Sequence, residues 1–342
     1  MRYVIIGAGA VGGAVGGRLA ESGHDVVLVA RGAHLEALRE RGLRLVTPEG
    51  SRTHQLLAID GPGALGKLRP DDILVLAVKT QDSVAALETW GPVPVEGGGT
   101  AGERLPLLCA QNGVEGQRLA LRHFRRVYGV CVRLPATFVD PGEVVAAGAP
   151  LTGILYIGRF PQGKDGIAQA VAADLAESRI KVLVVPDVTR WQYAKLLSNL
   201  ANAVEAVSGP VVSEEALALI GRVRAEGEAV LAAAGIEFAS VAEQAEARAD
   251  KVRLVSLDAR SGRGGESSSW QSLNRGTGTI ETDYLNGEIA LLGRLHGVDA
   301  PLNEFLQRLT GDFARGRRAA GSMPVPELVR LATEVACPRP TT

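Results

Sequence analysis

The chain has 342 residues, of which 46% are hydrophobic, 22% charged and 4% aromatic, and its formal net charge is −1. This length favours two domains, and so neutral a chain with few aromatic side chains does not suit nucleic acid or an anionic membrane as a partner. Three cysteines and five histidines without metal-ligand spacing predict neither a disulfide framework nor a metal site. With no signal peptide and no apolar run long enough to span a bilayer, a cytoplasmic protein is expected.

The first thirty residues predict a strand, a glycine turn, a helix and a second strand. Residues 3–6 and 26–30 are apolar runs, and the glycine-rich stretch lies between them. In this context the spacing is typical of a dinucleotide-binding βαβ unit, whose glycines allow a tight turn, approach of a pyrophosphate and close packing of helix on strand. The phosphates would lie at the N-terminus of the helix. We therefore expect the cofactor to be bound by Gly7, Gly9, Ala10, Val11 and Gly12.

Arg31 follows the second strand, at the place where an NAD-binding protein usually carries an acid. An acid there accepts a hydrogen bond from the ribose 2′-OH, whereas a guanidinium offers charge-assisted donors to a 2′-phosphate. The sequence therefore predicts NADP(H) rather than NAD(H). A glycine-rich turn followed by a surface arginine is the alternative.

Residues 1–186 are predicted to form an NADP-binding domain. Short β-branched runs alternate there with helical segments, which indicates parallel βαβ units in a doubly wound, mainly parallel sheet. Lys79 and Asn112 each follow a predicted strand, at the edge that borders the cofactor in such sheets. They are expected to contact cofactor or substrate, although a solvated strand end for Lys79 and a turn before Gly113 for Asn112 stay open. The predicted strands after residue 30 are 73–78, 106–109, 127–132, 154–157 and 182–185.

Residues 187–336 are predicted to form an all-helical domain. The polar segment 258–278 is interpreted as an ordered substrate loop or a mobile flap, and residues 337–342 as a disordered tail. The fold class expected is thus a Rossmann-type α/β domain followed by an all-α domain. The predicted helices are 191–208, 213–234, 240–257, 281–296 and 301–315.

Several polar residues of the helical half could do chemistry. Lys195, Asn199 and Asn202 are spaced i, i+4 and i+7 and would share one face of a helix over 191–208. Apolar neighbours would bury that face, so the three need partners, unless the lysine extends to the surface. Glu281 either caps the first turn of a later helix or pairs with Lys195.

Three separated motifs resemble the ketopantoate reductase (2-dehydropantoate 2-reductase) family over nearly the whole chain. They are residues 7–12 with Arg31; Gln111-Asn112-Gly113 after Val78-Lys79-Thr80; and Lys195-Leu-Leu-Ser-Asn199 together with Ser267-Ser-Ser269 and Glu281-Thr-Asp-Tyr-Leu-Asn-Gly287. The resemblance implies NADPH-dependent reduction of a small 2-keto acid, with ketopantoate to pantoate, a step of pantothenate biosynthesis, as the first candidate.

The same resemblance implies roles for individual residues. Lys195 would be the catalytic lysine, and Glu281 the acid that partners substrate and lysine. Asn199 and Ser269 would bind substrate, with Ser267 or Ser268 in place of Ser269 if the loop alignment shifts. Asn112 would lie near the nicotinamide.

The chain departs from the family pattern at two places on the substrate side. The second helical asparagine is expected eight residues after the lysine, where this chain has Ala203, with Asn202 one place early; one residue turns a helical side chain by about 100°. An acid expected after the serines is replaced by Gln271-Ser272. These departures leave open a related NADP-dependent dehydrogenase of another 2-hydroxy or imino acid, and a non-catalytic NADP(H)-sensing protein. A homodimer is left open as well.

Overall fold

A computed structural model of the chain describes residues 1–248, 252–255, 257, 267–276 and 278–336. The chain divides into two compact units. Unit 1 comprises Met1–Gln192 and Ser240–Gly265, and unit 2 comprises Tyr193–Ala239 and Glu266–Thr342. This division differs from the predicted one in two ways: the first boundary falls after residue 192 and not after residue 186, and residues 240–265 return to unit 1. The predicted tail 337–342 and residues 258–266 and 277 of the predicted loop lie outside the described residues.

Unit 1 is built on an eight-stranded sheet in which every pair of neighbouring strands is parallel except β8–β12. Its spatial order is β13-β12-β8-β7-β6-β1-β2-β5. From the central β1 the chain moves first to one side and then to the other, as in a doubly wound fold. The predicted fold class is confirmed. The strands are β1 (Arg2–Ile6), β2 (Asp25–Val29), β5 (Leu57–Ile59), β6 (Asp72–Leu76), β7 (Pro106–Cys109), β8 (Arg126–Arg133), β12 (Gly153–Arg159) and β13 (Ile180–Val184).

A second sheet of four strands, which the sequence did not predict, lies in the same unit. Its order is β4-β3-β10-β9, and β3 and β10 are parallel neighbours. The strands are β3 (Leu43–Thr47), β4 (Gly50–His54), β9 (Ala136–Asp140) and β10 (Glu143–Ala146). Up to residue 192, the helices of unit 1 are α1 (Ala10–Glu21), α2 (Gly32–Arg41), α3 (Ser83–Trp90), α4 (Ala101–Arg104), α5 (Glu115–Ala120), α6 (Gly166–Glu177) and the start of α7 (Val188–Asn199).

Helix α1 packs against both sheets through glycines. A Cβ on Gly16 would lie 3.0 Å from Leu28 of the large sheet, and a Cβ on Gly13 would lie 2.8 Å from Val144 of the small sheet. Gly17 likewise approaches Leu45, at 3.0 Å. Since real Cβ atoms do not come as close as 2.8 Å to a neighbour, the repeat of two glycine pairs in α1 sets how tightly the three layers pack.

The predicted helix over 240–257 is wrong in its second half. Helix α10 (Val241–Arg248) ends early, and β14 (Val252–Leu254) pairs antiparallel with β11 (Gly148–Pro150). A hydrogen bond from Lys181 Nζ to the Ala247 carbonyl, at 2.8 Å, also ties this segment to unit 1. The β-branched valines at the end of the segment favour the strand.

Unit 2 is helical in its described part. The predicted single helix over 191–208 is wrong, because α7 ends at Asn199 and a new helix begins at Asn202. The predicted loop 258–278 contains a short helix, and residues 281–284 form a 3-10 helix before α12. The helices are α8 (Asn202–Ser208), α9 (Glu214–Ala233), α11 (Ser268–Asn274), α12 (Asn286–His296), α13 (Pro301–Arg315) and α14 (Val325–Ala336).

Candidate active site

Four parallel strands of unit 1 end in register at one edge of the large sheet. Ile6 pairs with Val29 on one side and with Leu76 on the other, and Leu76 pairs with Cys109. The loops after β2, β1, β6 and β7 therefore leave the sheet side by side. In doubly wound sheets this edge is where ligands bind. Those four loops, together with the first turn of α1 that follows the loop after β1, carry every unit 1 residue that the sequence predicted to bind cofactor.

The three glycines of the turn after β1 have different surroundings. Gly7 has a φ of +104°, and a Cβ there would lie 2.7 Å from the Val78 nitrogen. A Cβ on Gly12 would lie 2.1 Å from the Gly7 carbonyl oxygen. A Cβ on Gly9 would meet no heavy atom within 4 Å. Gly7 and Gly12 are thus required by contacts inside the protein, whereas the space beside Gly9 is open.

Helix α1 begins directly after this open space. Gly9 is its N-cap, and Ala10, Val11 and Gly12 are its first turn, where N–H groups have no acceptor within the helix. An N-terminus of this kind attracts a phosphate. Arg31, exposed, is the N-cap of α2 at the end of the neighbouring strand β2. The residues present therefore fit a dinucleotide, because the open space beside Gly9 leaves room for it at the N-terminus of α1.

Gln111 joins the two remaining loops, and no role was predicted for it. Its Nε2 donates to the Val78 carbonyl at 2.8 Å and to the Ser83 hydroxyl at 2.7 Å. Val78 precedes Lys79, and Gln111 precedes Asn112, so one amide side chain links the loops that carry both predicted residues. Lys79 and Asn112 are each half-buried. The sequence around a single glutamine does not predict such a role.

His34 is a second residue of the turn region that the sequence did not single out. Its Nε2 lies 2.8 Å from the Ala8 carbonyl, and its Nδ1 accepts from the Gly142 N–H at 2.9 Å. Burial lowers the pKa of His34, against a smaller opposing effect of the Ala8 carbonyl. The neutral ring, with its proton on Nε2, makes both hydrogen bonds. His34 thus ties the glycine turn to the turn between β9 and β10.

In unit 2, Lys195 and Asn199 lie one turn apart on α7, and Asn202 is the first residue of α8. All three are half-buried, whereas Ala203 is 1% exposed. Ala203 therefore belongs to the core, whereas Asn202, like Asn199, remains partly accessible near this helix junction. The predicted shared face does not lie on one continuous helix, but its three members have similar exposure.

The serine segment is attached to α8. The Ser267 N–H donates to Glu205 Oε1 at 3.3 Å, and Glu205 lies one turn after Asn202. The Ser267 hydroxyl caps α11 by accepting from the Trp270 N–H at 3.3 Å. Ser269 is 3% exposed. Of the three serines, Ser267 is thus used as a helix cap, and α11 is held beside the helix that carries Asn202.

Glu281 is 8% exposed and is the first residue of the 3-10 helix Glu281–Tyr284. The charge of Glu281 acts on Arg275, a residue that the sequence did not single out. Burial lowers the pKa of Arg275, and the charge of Glu281 raises it. The pairing of Glu281 with Lys195 stays a prediction.

Within the part of the chain that the structure describes, no group of three or more His, Cys, Asp or Glu side chains is arranged to hold a metal ion. Nor does any helix among those residues have the length and apolar character needed to cross a membrane.

Comparison with known proteins decides the family. The model of the N-terminal domain described as ketopantoate reductase PanE/ApbA matches residues 3–162, and the corresponding C-terminal model matches residues 187–314. The chain belongs to the ketopantoate reductase family. Enzymes of this family are NADPH-dependent oxidoreductases that act on a CH–OH group.

Individual relatives agree over almost their full length. The 2-dehydropantoate 2-reductase of Archaeoglobus fulgidus is 31% identical over 322 residues, which is 92% of this chain and 98% of the relative. The solved PanE/ApbA family ketopantoate reductase of Ralstonia eutropha JMP134 is 28% identical with a TM-score of 0.75, covering 93% of this chain and all of that one. A D-mandelate dehydrogenase solved with NADH and anilino(oxo)acetate shares the fold, with a TM-score of 0.76 at 21% identity and the same coverage of both chains.

Proposed function

We propose that this protein reduces a small 2-keto acid to the 2-hydroxy acid with NADPH, and that ketopantoate is the first substrate to test. The full-length likeness to curated 2-dehydropantoate 2-reductases carries this proposal. It is supported by the arrangement of unit 2, where hydrogen bonds attach Ser267 to α8 and Asn286, which belongs to the same motif as Glu281, to Leu200 directly after α7.

We assign the cofactor to unit 1 and the substrate to unit 2, with a functional boundary near residue 186. The first-turn N–H groups of Ala10, Val11 and Gly12 would hold the pyrophosphate beside Gly9, and Arg31 would bind the 2′-phosphate. Lys79 and Asn112, held by Gln111, would contact the nicotinamide half. When bound, NADPH supplies a hydride.

In this proposal, the substrate is held and protonated by residues of unit 2. Lys195 donates a hydrogen bond to the keto oxygen and gives it a proton as negative charge develops there, which combines electrostatic stabilisation with general-acid catalysis. Asn199, Asn202 and Ser269 would hold the carboxylate and hydroxyl end of the substrate. Glu281 would orient Lys195 or accept a substrate hydroxyl.

The test is NADPH oxidation against a panel of 2-keto acids, with ketopantoate included. Lys195→Ala should lower kcat about 10²- to 10⁴-fold, the usual contribution of a positioned acid, with an unchanged Kd for NADPH. Lys164→Ala, a change of the same kind at an exposed position of unit 1, serves as the matched control. Full turnover by Lys195→Ala would remove the lysine from the mechanism. Tight NADPH binding without turnover of any acid would instead indicate a sensor.

We also propose a cytoplasmic enzyme, in keeping with the low cysteine content, and a homodimer as the first assembly to test, since two-fold dimers are the commonest oligomers. Cell fractionation and sedimentation equilibrium would check the two points.

A further inference from the structure

A buried chain of hydrogen bonds ends at the junction between α7 and α8. Asn286, 1% exposed and the first residue of α12, donates from Nδ2 to the Leu200 carbonyl at 3.3 Å and to Asn303 Oδ1 at 3.1 Å. Leu200 follows Asn199 directly and lies in the two-residue interruption before α8. Carbonyls at the end of a helix need partners from outside it, and Asn286 provides one here.

The other end of this series of hydrogen bonds fixes the orientation of both amide side chains. Asn303 Nδ2 donates to the Val223 carbonyl at 3.0 Å and to Glu226 Oε2 at 2.9 Å. A carbonyl and a carboxylate only accept hydrogen bonds, so Asn303 must turn its Nδ2 toward them and its Oδ1 toward Asn286. Asn286 must then present its Nδ2 as well, which makes it a donor to Leu200.

The carboxylate that sets this direction is itself held firmly. The backbone N–H groups of Leu302 and Asn303, in the first turn of α13, donate to Glu226 at 3.0–3.1 Å. A carboxylate at a helix N-terminus is favoured by both the hydrogen bonds and the helix dipole. The chain Glu226–Asn303–Asn286 thus runs from α9 through α13 and α12 to the α7–α8 junction.

We propose that Asn286 is a positioning residue that fixes the start of α8 and, through it, the substrate-binding amide of Asn202. Leu200 and Ala201 separate the two helices, so the placement of Asn202 at the start of α8 depends on what holds this junction. Helix α8 also holds Ser267 through Glu205. One buried amide therefore controls the placement of two substrate-side elements; this inference rests on the proposed function for its kinetic consequence.

The test compares Asn286→Ala and the isosteric Asn286→Asp with Thr310→Val. Thr310 is 0% exposed on α13 and donates to the Leu306 carbonyl. Its variant therefore loses a buried hydrogen bond in the same unit that does not belong to the hydrogen-bond series Glu226–Asn303–Asn286. We expect Asn286→Ala to raise KM for the keto acid about tenfold, with kcat lowered less and KM for NADPH unchanged. Asn286→Asp cannot donate while ionised and should be at least as impaired. Thr310→Val should lower Tm without a KM effect.

Amide hydrogen exchange supplies a readout that needs no substrate. Residues 200–205 should exchange faster in Asn286→Ala and at the wild-type rate in Thr310→Val, because only the first loosens the junction. Unchanged KM and unchanged exchange, with a lowered Tm, would overturn the positioning role. If the wild type reduces no keto acid, the proposed function fails and the exchange result alone decides this inference. If Asn286→Ala does not fold, Glu226→Gln, two side chains away, should shift KM and exchange in the same direction by less.

Discussion

The three glycines of the turn after β1 can be separated experimentally because their surroundings differ. At Gly9 an added Cβ meets no protein atom within 4 Å, and its φ of −73° suits any residue. Gly9→Ala should therefore fold normally and gain about 0.4–1 kcal/mol in free energy of unfolding, since alanine restricts the unfolded chain more than glycine.

The same methyl group should interfere with the cofactor. If a pyrophosphate lies on the open side of Gly9, the methyl occupies space that the ligand needs, and overpacking of a fitted site costs about 1–3 kcal/mol. That corresponds to a rise of roughly 5- to 150-fold in Kd for NADPH. Stability and affinity should thus move in opposite directions in one variant.

Gly12→Ala, three residues further along in the first turn of α1, is the matched control. Its Cβ would lie 2.1 Å from the Gly7 carbonyl oxygen and 2.8 Å from Ile5 Cγ2, so backbone must move. The expected loss in free energy of unfolding is about 1–3 kcal/mol or more.

Urea denaturation and NADPH fluorescence titration of both variants measure the two quantities. A Kd for NADPH within twofold of wild type in a stable Gly9→Ala would refute the placement of the pyrophosphate. A destabilised Gly9→Ala would refute the open space itself.

Three further predictions concern unit 1. Arg31→Ala should raise Kd for NADPH about tenfold or more and leave Kd for NADH unchanged, because charge-assisted hydrogen bonds are worth about 1.5–3 kcal/mol; titration with both cofactors checks this, and an equal effect on both excludes a 2′-phosphate role. Arg18 is 3% exposed and donates at 2.7 Å to both Glu21 and Glu49. Arg18→Met should therefore lower the free energy of unfolding by about 3 kcal/mol, as expected for a broken buried ion pair. A loss below about 1 kcal/mol in urea denaturation would contradict this prediction. Burial lowers the pKa of His34 below its ordinary 6.5, so its stabilisation is complete above that pH and is lost as the pH falls through the lowered pKa; His34→Gln should remove this part of the stability–pH profile, and parallel profiles would argue against it.

The nucleotide-binding half of the fold was predictable where periodicity and glycine spacing act together. The first strand, the glycine turn and the second strand lie within a residue of their predicted places, and β7 at Pro106–Cys109 matches its prediction. The four-stranded sheet was missed because its strands are short and β4, Gly50–His54, is polar and largely exposed. A strand without apolar alternation gives no signal of period two.

The candidate site was predictable only for residues that stand in a motif. Lys195, Asn199 and Glu281 were predicted as site residues from their spacing and the family resemblance. Gln111 and Asn286 lie inside the same motifs, but a single buried amide has no sequence signature, because its role depends on acceptors far away in the chain. The interruption of the helix after Asn199 could not be predicted either, because residues 200 and 201 are a leucine and an alanine, which favour a continuous helix.

Helix α1 lies between two sheets with glycine on both contact faces, and this limits how the protein can diverge. A larger side chain in either sheet at this contact has no side chain on α1 that could shrink in compensation. Substitutions in the two layers therefore cannot offset one another through these glycines of the helix. The same rigidity presents the first-turn N–H groups already ordered, so binding of a phosphate there does not require the entropy of fixing a loop.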